Sequence, residues 1–466
     1  MSATKSARVW GVPACVLGVA VVFTVPVGCS DTGSSGGATP GGQGNGVSGS
    51  QATGGASVSG GTNAVAGSMA TGGVSGGNGG AATTAGTGGS ATGGVTTAGS
   101  GGAEVAGGGA GGSGGGSGSG GSGGAVATFT PCNSMPAAMV PMLKRGPAIN
   151  GFTGMMTAGQ IIGVPGETNI IYVIGHRDGN VFIVQDGKAA GTLVKVSVAS
   201  GGNNEQGLLS MALHPQFATN HLFYLYYTSS NNGDITIDEF ERLTPTTAMK
   251  KRNIYSQPRA GGGMFHNGGF ITFSPKDAMP YMYFSVGNNE SNDAGNPDGV
   301  AGRVHRIDVT SKAHMTFAYG LRNPYRMSID RLTGDMFIAD VANGPGGTII
   351  FNPFGTMGKD YGYRNNNGNP DINEGILRDS NGAAIIGGFV YRGNKIPGLC
   401  GRYFYGNHEG GIVHSIVVQD GKKSGDTANH GTLSVPGNIT SFGEDGEGEL
   451  YMASMSNTIY KIVAGP

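Results

Sequence analysis

The sequence predicts an all-β fold, a six-bladed β-propeller preceded by a long Gly/Ser-rich tether. Three observations carry that reading. A short apolar-aromatic segment recurs around Tyr172, Tyr224, Tyr283, Phe337, Phe404 and Tyr451, with separations of 52, 59, 54, 67 and 47 residues. Several of these segments are followed by a second strand-like run, such as VFIVQDG, TIDEFERL, RVHRIDV and TIYKIV. No stretch sustains the 3.6-residue period of an amphipathic helix. A repeat of roughly 50 residues holding two or more strands is a blade-sized unit. Two packed β-sandwiches would use similar strands, but nothing between Cys132 and Pro466 reads as a linker.

From its start the chain divides into three parts. Residues 1–29 carry Lys5 and Arg8 ahead of an apolar run, Val16 to Val25, too short for a membrane span. Pro26-Val27-Gly28-Cys29 then resembles a bacterial lipobox, with Pro26 where Leu is usual. The expectation is an exported protein, lipid-anchored to the cell envelope through Cys29, or secreted after cleavage of an ordinary signal peptide. Residues 30–126 are almost all Gly, Ser, Ala and Thr without one aromatic residue, and account for much of the total of 93 glycines. Such a tract cannot bury enough apolar surface to offset its ordering entropy, so it reads as a disordered tether. Residues 127–466 are left for the propeller. Cys132 and Cys400 are the two cysteines of that region; in an oxidising compartment they form a disulfide, or they remain free buried thiols. The formal net charge of −1 gives no field for a nucleic-acid partner.

The stretch Met264–Asp308 has the order loop, strand, turn, strand, loop, strand. His266 stands before Asn267-Gly268-Gly269, where glycine permits close approach of a ligand. An ordinary hydrogen-bonded loop histidine would look the same. Three other segments offer polar residues in loops that border strands: Glu205-Gln206, Arg322-Asn323, and Asp340 to Pro345.

EQGLLSMALHPQF (205–217), HNGGFITFSP (266–275), GRVHRIDV (302–309), YGLRNPYRMSIDRLTGDMFIADV (319–341), GGFVYRGNKIP (387–397) and ITSFGEDGEGELYM (439–452) follow one another in an order that resembles the glucose/sorbosone dehydrogenase family. That family includes soluble aldose dehydrogenases that use pyrroloquinoline quinone (PQQ) and the propellers of hedgehog-interacting-protein-like proteins. The resemblance covers about 300 residues and itself implies a six-bladed propeller. It implies oxidation of a sugar at the anomeric carbon to a lactone, with hydride passing to PQQ. His266 matches the general base. Arg322 matches the cation beside the quinone, Asn323 a cofactor contact, and Glu205 with Gln206 the sugar-contacting position. The calcium expected beside PQQ would fall to Asp340, Ala342 and Asn343, where a second carboxylate is missing.

The sequence departs from the dehydrogenase pattern where Lys and Arg of the last two blades would meet the PQQ carboxylates. His408 and Glu409 stand at one such place and Asn438-Ile439-Thr440 at the other. Each lost charge-assisted contact removes about 1.5–3 kcal/mol. The alternative function is therefore a non-catalytic propeller that binds a glycan or a protein at the cell surface. A G-x-S-x-G match around Ser113 is a product of low-complexity glycine, and Arg326 and Arg331 read as structural ion-pair partners. If the tether reading is right, limited proteolysis leaves a protected core that begins near Cys132. A protected fragment beginning well inside the Gly/Ser tract would contradict it.

Overall fold

A computed structural model describes residues 129–466, apart from 155–158, 201–204, 262, 342–345, 364–374 and 380–383. The leader and the Gly/Ser tract lie outside the described residues, as do Ala342 and Asn343. The described chain is almost entirely β-structure, with one four-residue helix at Phe217–Asn220. Its strands form meanders built on four antiparallel strands, one of them extended by Lys359–Asp360, which pairs parallel to Ala318 and Tyr319. Another runs Leu208–Leu213, Leu222–Thr228, Ile235–Thr244 and Thr247–Gln257 in spatial as well as chain order. Every recurrent aromatic segment of the sequence is the second strand of such a meander, or its counterpart in the C-terminal sheet.

The aromatic strands recur because both of their faces are buried. In Leu222–Thr228, Phe223, Leu225 and Tyr227 pack to one side with Tyr172 and Ile174 of the preceding meander and with Leu208 of their own. Tyr224 and Tyr226 pack to the other side with Ile271, Met282 and Phe284 of the next. This is the two-residue alternation of a strand with no solvent face. Each such side chain contributes about 1.5–3 kcal/mol by leaving water. The same arrangement continues along the chain. Phe270 and Tyr283 join Met327 and Ile338. Phe337 joins Val390 and Tyr403, and Phe404 joins Phe442 and Met452. The last cluster carries Tyr451 and Ala453 back onto Ile161 and Val173 of the first meander. Sheets packed face to face in cyclic succession form a β-propeller.

Two pairings close the succession. Ile161 and Ile162 lie parallel to Gly443 and Glu444, which joins the first and last meanders in one eight-stranded sheet. The first strand, Leu143–Ile149, pairs antiparallel with the last, Thr458–Ala464, and supplies the outer edge of the C-terminal meander. Pro147 is tolerated there because an edge strand has one unpaired side.

Just ahead of that first strand, Cys132 is bonded to Cys400, with the Cα atoms 5.9 Å apart. Cys132 also donates its N–H to Arg392 O at 3.0 Å. Arg392 in turn holds a buried ion pair with Asp330, its Nε 2.7 Å from Oδ1. The bond spans 268 residues of sequence and so restricts the unfolded chain strongly. Cys132→Ser should lower stability by about 2–4 kcal/mol, read as a lower denaturation midpoint. Wild-type protein treated with reductant should match the variant. Equal midpoints with and without the bond would show that it adds nothing.

Candidate functional site

Three of the leading strands, Leu208–Leu213, Ile271–Phe273 and Pro324–Ile329, are each preceded by a polar loop. Those loops carry Glu205, His266 and Arg322-Asn323. The structure brings the four together as two side-chain pairs, Arg322 with His266 and Asn323 with Glu205, joined through the backbone N–H groups of Asn267 and Gly268, although Glu205 and Asn323 are 118 residues apart.

His266 enters it through an unusual backbone. Its φ is 54°, and Gly268 and Gly269 follow at 59° and 96°. A left-handed conformation is uncommon for a residue with a side chain and persists where its surroundings hold it. The hold here is Gly287. A Cβ on that residue would lie 2.0 Å from His266 O, so only glycine lets the two loops approach. Asn289 then donates both its backbone N–H, at 3.2 Å, and its side-chain amide, at 2.9 Å, to the same oxygen.

The imidazole tautomer follows from its partners. Arg322 Nη2 lies 2.9 Å from His266 Nε2, and a guanidinium can only donate, so Nε2 carries the lone pair. Nδ1 therefore holds the proton and donates it to Asn288 Oδ1 at 2.8 Å. Asn288 is itself fixed, since Oδ1 also accepts from Glu290 N at 3.2 Å and its amide reaches Ser291 O at 3.3 Å. Burial and the neighbouring Arg322 charge push the His266 pKa down to about 4, against a smaller upward effect of Asn288. The ring is neutral at physiological pH.

Asn323 is fully engaged. Its Oδ1 accepts from Gly268 N at 3.0 Å, and its Nδ2 donates to both Glu205 oxygens at 3.2 Å. Glu205 Oε2 also accepts from Asn267 N at 3.1 Å. Burial raises the Glu205 pKa, opposed by these bonds and by Arg322. Gln206 turns away from this group; its carboxamide oxygen, suitably oriented, accepts from Arg259 at 3.2 and 3.3 Å. Asp340, expected as a metal ligand, is buried and uses its carboxylate to accept the backbone N–H of Arg322, at 3.0 and 3.1 Å, and of Asn323, at 2.7 Å. Its structural role there is to shape the loop that presents Arg322. Among the described residues no group of three or more His, Cys, Asp or Glu is placed to hold a metal ion.

Asn288 was not singled out by the sequence reading, but the strand register could have found it. Ile271 faces Phe284, so continuing that antiparallel pairing outward sets His266 opposite position 289. The Val286-Gly287-Asn288-Asn289 turn is thus the necessary neighbour of the His266 loop. A large cavity lies elsewhere. It has a volume of about 800 Å³, is lined by Gln160, Met211, His214, Phe270, Ile329 and Phe389 among others, and includes none of the four site residues. The site is a network at one end of the leading strands, and the cavity reaches the other.

Residues 165–458 match the family described as Glucose / Sorbosone dehydrogenase. The Hedgehog-interacting protein of Homo sapiens is 27% identical over 315 residues, which cover 56% of this chain and 44% of that protein. The HIPL1 protein of Arabidopsis thaliana is 24% identical over 417 residues, covering 64% of this chain and 59% of the relative. The chain thus spans about half the length of the curated relatives it matches. Among solved structures, the PQQ-bound aldose sugar dehydrogenase of Streptomyces coelicolor superposes with a TM-score of 0.58 and 17% identity, covering 71% of this chain and 100% of that one. At that identity the likeness is one of fold.

The His266 environment has a direct signature. The folded chain releases this proton at about pH 4, whereas an unfolded histidine releases it near 6.5. Between those values the unfolded state binds the proton and the folded state does not. His266 therefore favours folding above pH 6.5, and that contribution is lost as the pH falls through about 4. An NMR titration of the His266 ring should show the low midpoint, and Arg322→Gln should move it upward without restoring 6.5. An unchanged midpoint would show that Arg322 does not act on the ring.

Proposed function

The chain belongs to the glucose/sorbosone dehydrogenase family, and on that premise we propose that it oxidises an aldose at its anomeric carbon to a lactone, with PQQ as hydride acceptor. The observation that carries the proposal is the couple of His266 and Arg322. A neutral imidazole with a defined basic nitrogen lies 2.9 Å from a guanidinium that makes no carboxylate contact. The same reading counts the propeller as six-bladed, closed by Leu143–Ile149.

The donor set fits PQQ at Arg322. Its guanidinium donates to a neutral ring and to Val341 O, at 3.1 Å, and makes no direct carboxylate contact that an anionic ligand would have to displace. PQQ, when bound, supplies the hydride acceptor. The remaining work belongs to the chain. His266 Nε2 takes the sugar hydroxyl proton once Arg322 Nη2 turns from the ring to the ligand. Asn288 keeps the other ring proton at Nδ1, so the ring gains its new proton at Nε2. Glu205 accepts from sugar hydroxyls, while Asn323 holds its carboxylate toward the site. Asp340 supports the Arg322 loop, and no step is derived through calcium. Export is part of the same proposal; the Cys132–Cys400 bond supports an oxidising compartment.

A second reading, a cell-surface binding module for a glycan or protein, is favoured by the far side of the sequence pattern. No Lys or Arg stands at the expected carboxylate-binding positions. His408 Nδ1 is engaged with Ile439 O at 2.7 Å, and Thr440 is buried. The full chain titrated with PQQ, calcium, an artificial acceptor and a panel of aldoses separates the two. Dehydrogenase activity should appear with weak PQQ affinity. His266→Ala should lower kcat by about 10²–10⁴ with PQQ affinity nearly unchanged, while Arg322→Ala loses both. Saturable glycan binding without PQQ-dependent turnover would select the binding module.

A further inference from the structure

Arg326, three residues beyond the site's Asn323, was expected to be an ion-pair partner. Arg331 is one, with Nε 3.0 Å from Glu444 Oε2. Arg326 is not. It is 1% exposed and has no carboxylate within hydrogen-bond distance. Its neighbouring carboxylate, Glu205, is taken up by Asn267 and Asn323 and reaches Arg326 only through space. An arginine remains charged even when buried, so this guanidinium is a cation enclosed without a counter-ion in contact.

The distribution of its partners is specific. Nη1 makes two long bonds, both 3.3 Å, to the carbonyl oxygens of Leu209 and Tyr325. Nε and Nη2 have no partner at all. These two nitrogens form one edge of the guanidinium, with parallel N–H bonds, and that edge is the fork that takes an anion in bidentate fashion. The rings of Tyr325 and Phe270 flank the group, 4.4 and 5.7 Å from its central carbon to their centroids. The walls are therefore apolar, and the neighbouring His176 stays neutral, its pKa held down to about 3 by burial foremost.

We propose that the Nε–Nη2 edge of Arg326 is a binding site for a halide ion in the interior of the propeller. The enclosure excludes large or multiply charged anions, whose dehydration costs most. A monatomic, weakly hydrated anion completes both free N–H groups and neutralises the buried charge. Phe270 belongs both to the wall of the guanidinium site and to that of the 800 Å³ cavity. The ion is independent of the sugar-oxidising reading, because Arg326 lies behind Glu205 and is not a reacting group.

The test uses thermal unfolding of the full chain at constant ionic strength while chloride or bromide replaces gluconate. The melting temperature should rise and saturate with either halide. Arg326→Lys keeps the charge but lacks the fork, so its melting temperature should no longer respond. An equal rise in the variant, or no rise in the wild type, would overturn the proposal. Should the variant fail to fold, wild-type crystals grown in bromide decide the matter. An anomalous peak within hydrogen-bond distance of both Nε and Nη2 supports the site, and water alone at that edge refutes it.

Discussion

Closure of the ring is the constraint on which the other features rest. A meander buries one face only if a neighbour covers it, and the first meander has no preceding neighbour in sequence. The parallel contact of Ile161 and Ile162 with Gly443 and Glu444, and the pairing of Leu143–Ile149 with Thr458–Ala464, provide one. Without them Ile161, Val173, Tyr451 and Ala453 would meet water instead of each other. Cys132–Cys400 ties the segment ahead of Leu143–Ile149 to the neighbouring meander, which the Arg392–Asp330 pair in turn joins to the one before it. A buried ion pair of this kind is weak evidence for net stability, but loss of one partner would leave an unpaired charge.

Closure also builds the site. Glu205, His266 and Arg322 belong to consecutive meanders and meet because their loops enter leading strands at the same end. Asn323 connects all three loops, accepting from Gly268 and donating to Glu205 while Asp340 holds its own backbone. The result fixes the tautomer of His266 through Asn288 and leaves Arg322 half-buried at the edge of the group. The resting Arg322–His266 hydrogen bond occupies the very lone pair that a base would use. On the proposed reading, ligand binding would release that lone pair in the same event.

Polar groups in the interior are treated unequally. Glu205, Asn323 and Asp340 have their acceptors and donors matched, as buried polar groups ordinarily do. Arg326 does not, although it lies close behind them. Such an exception marks a place where the protein chain alone is an incomplete description of the folded state.

The sequence by itself determined the strands and the cysteine pair's plausibility, because these depend on local pattern. Tyr224, Tyr283 and Phe404 lie in alternating apolar runs bounded by turn residues, and such runs pair with the strand next in sequence. It also singled out His266, Glu205 and Arg322-Asn323, through loop position and family resemblance. Tertiary structure decided what each polar group touches. Asn288 became the partner of His266 through strand register and the close approach allowed by Gly287. Asp340 turned toward backbone amides, Gln206 toward Arg259, and Arg326 toward no carboxylate. Leu143–Ile149 joined the end of the chain although LKRGPAI shows no strand alternation. The physical reason is common to all of these. Apolar burial is read from composition and period, whereas a hydrogen bond is fixed by a distance of about 3 Å and a direction, and closure of the ring sets both.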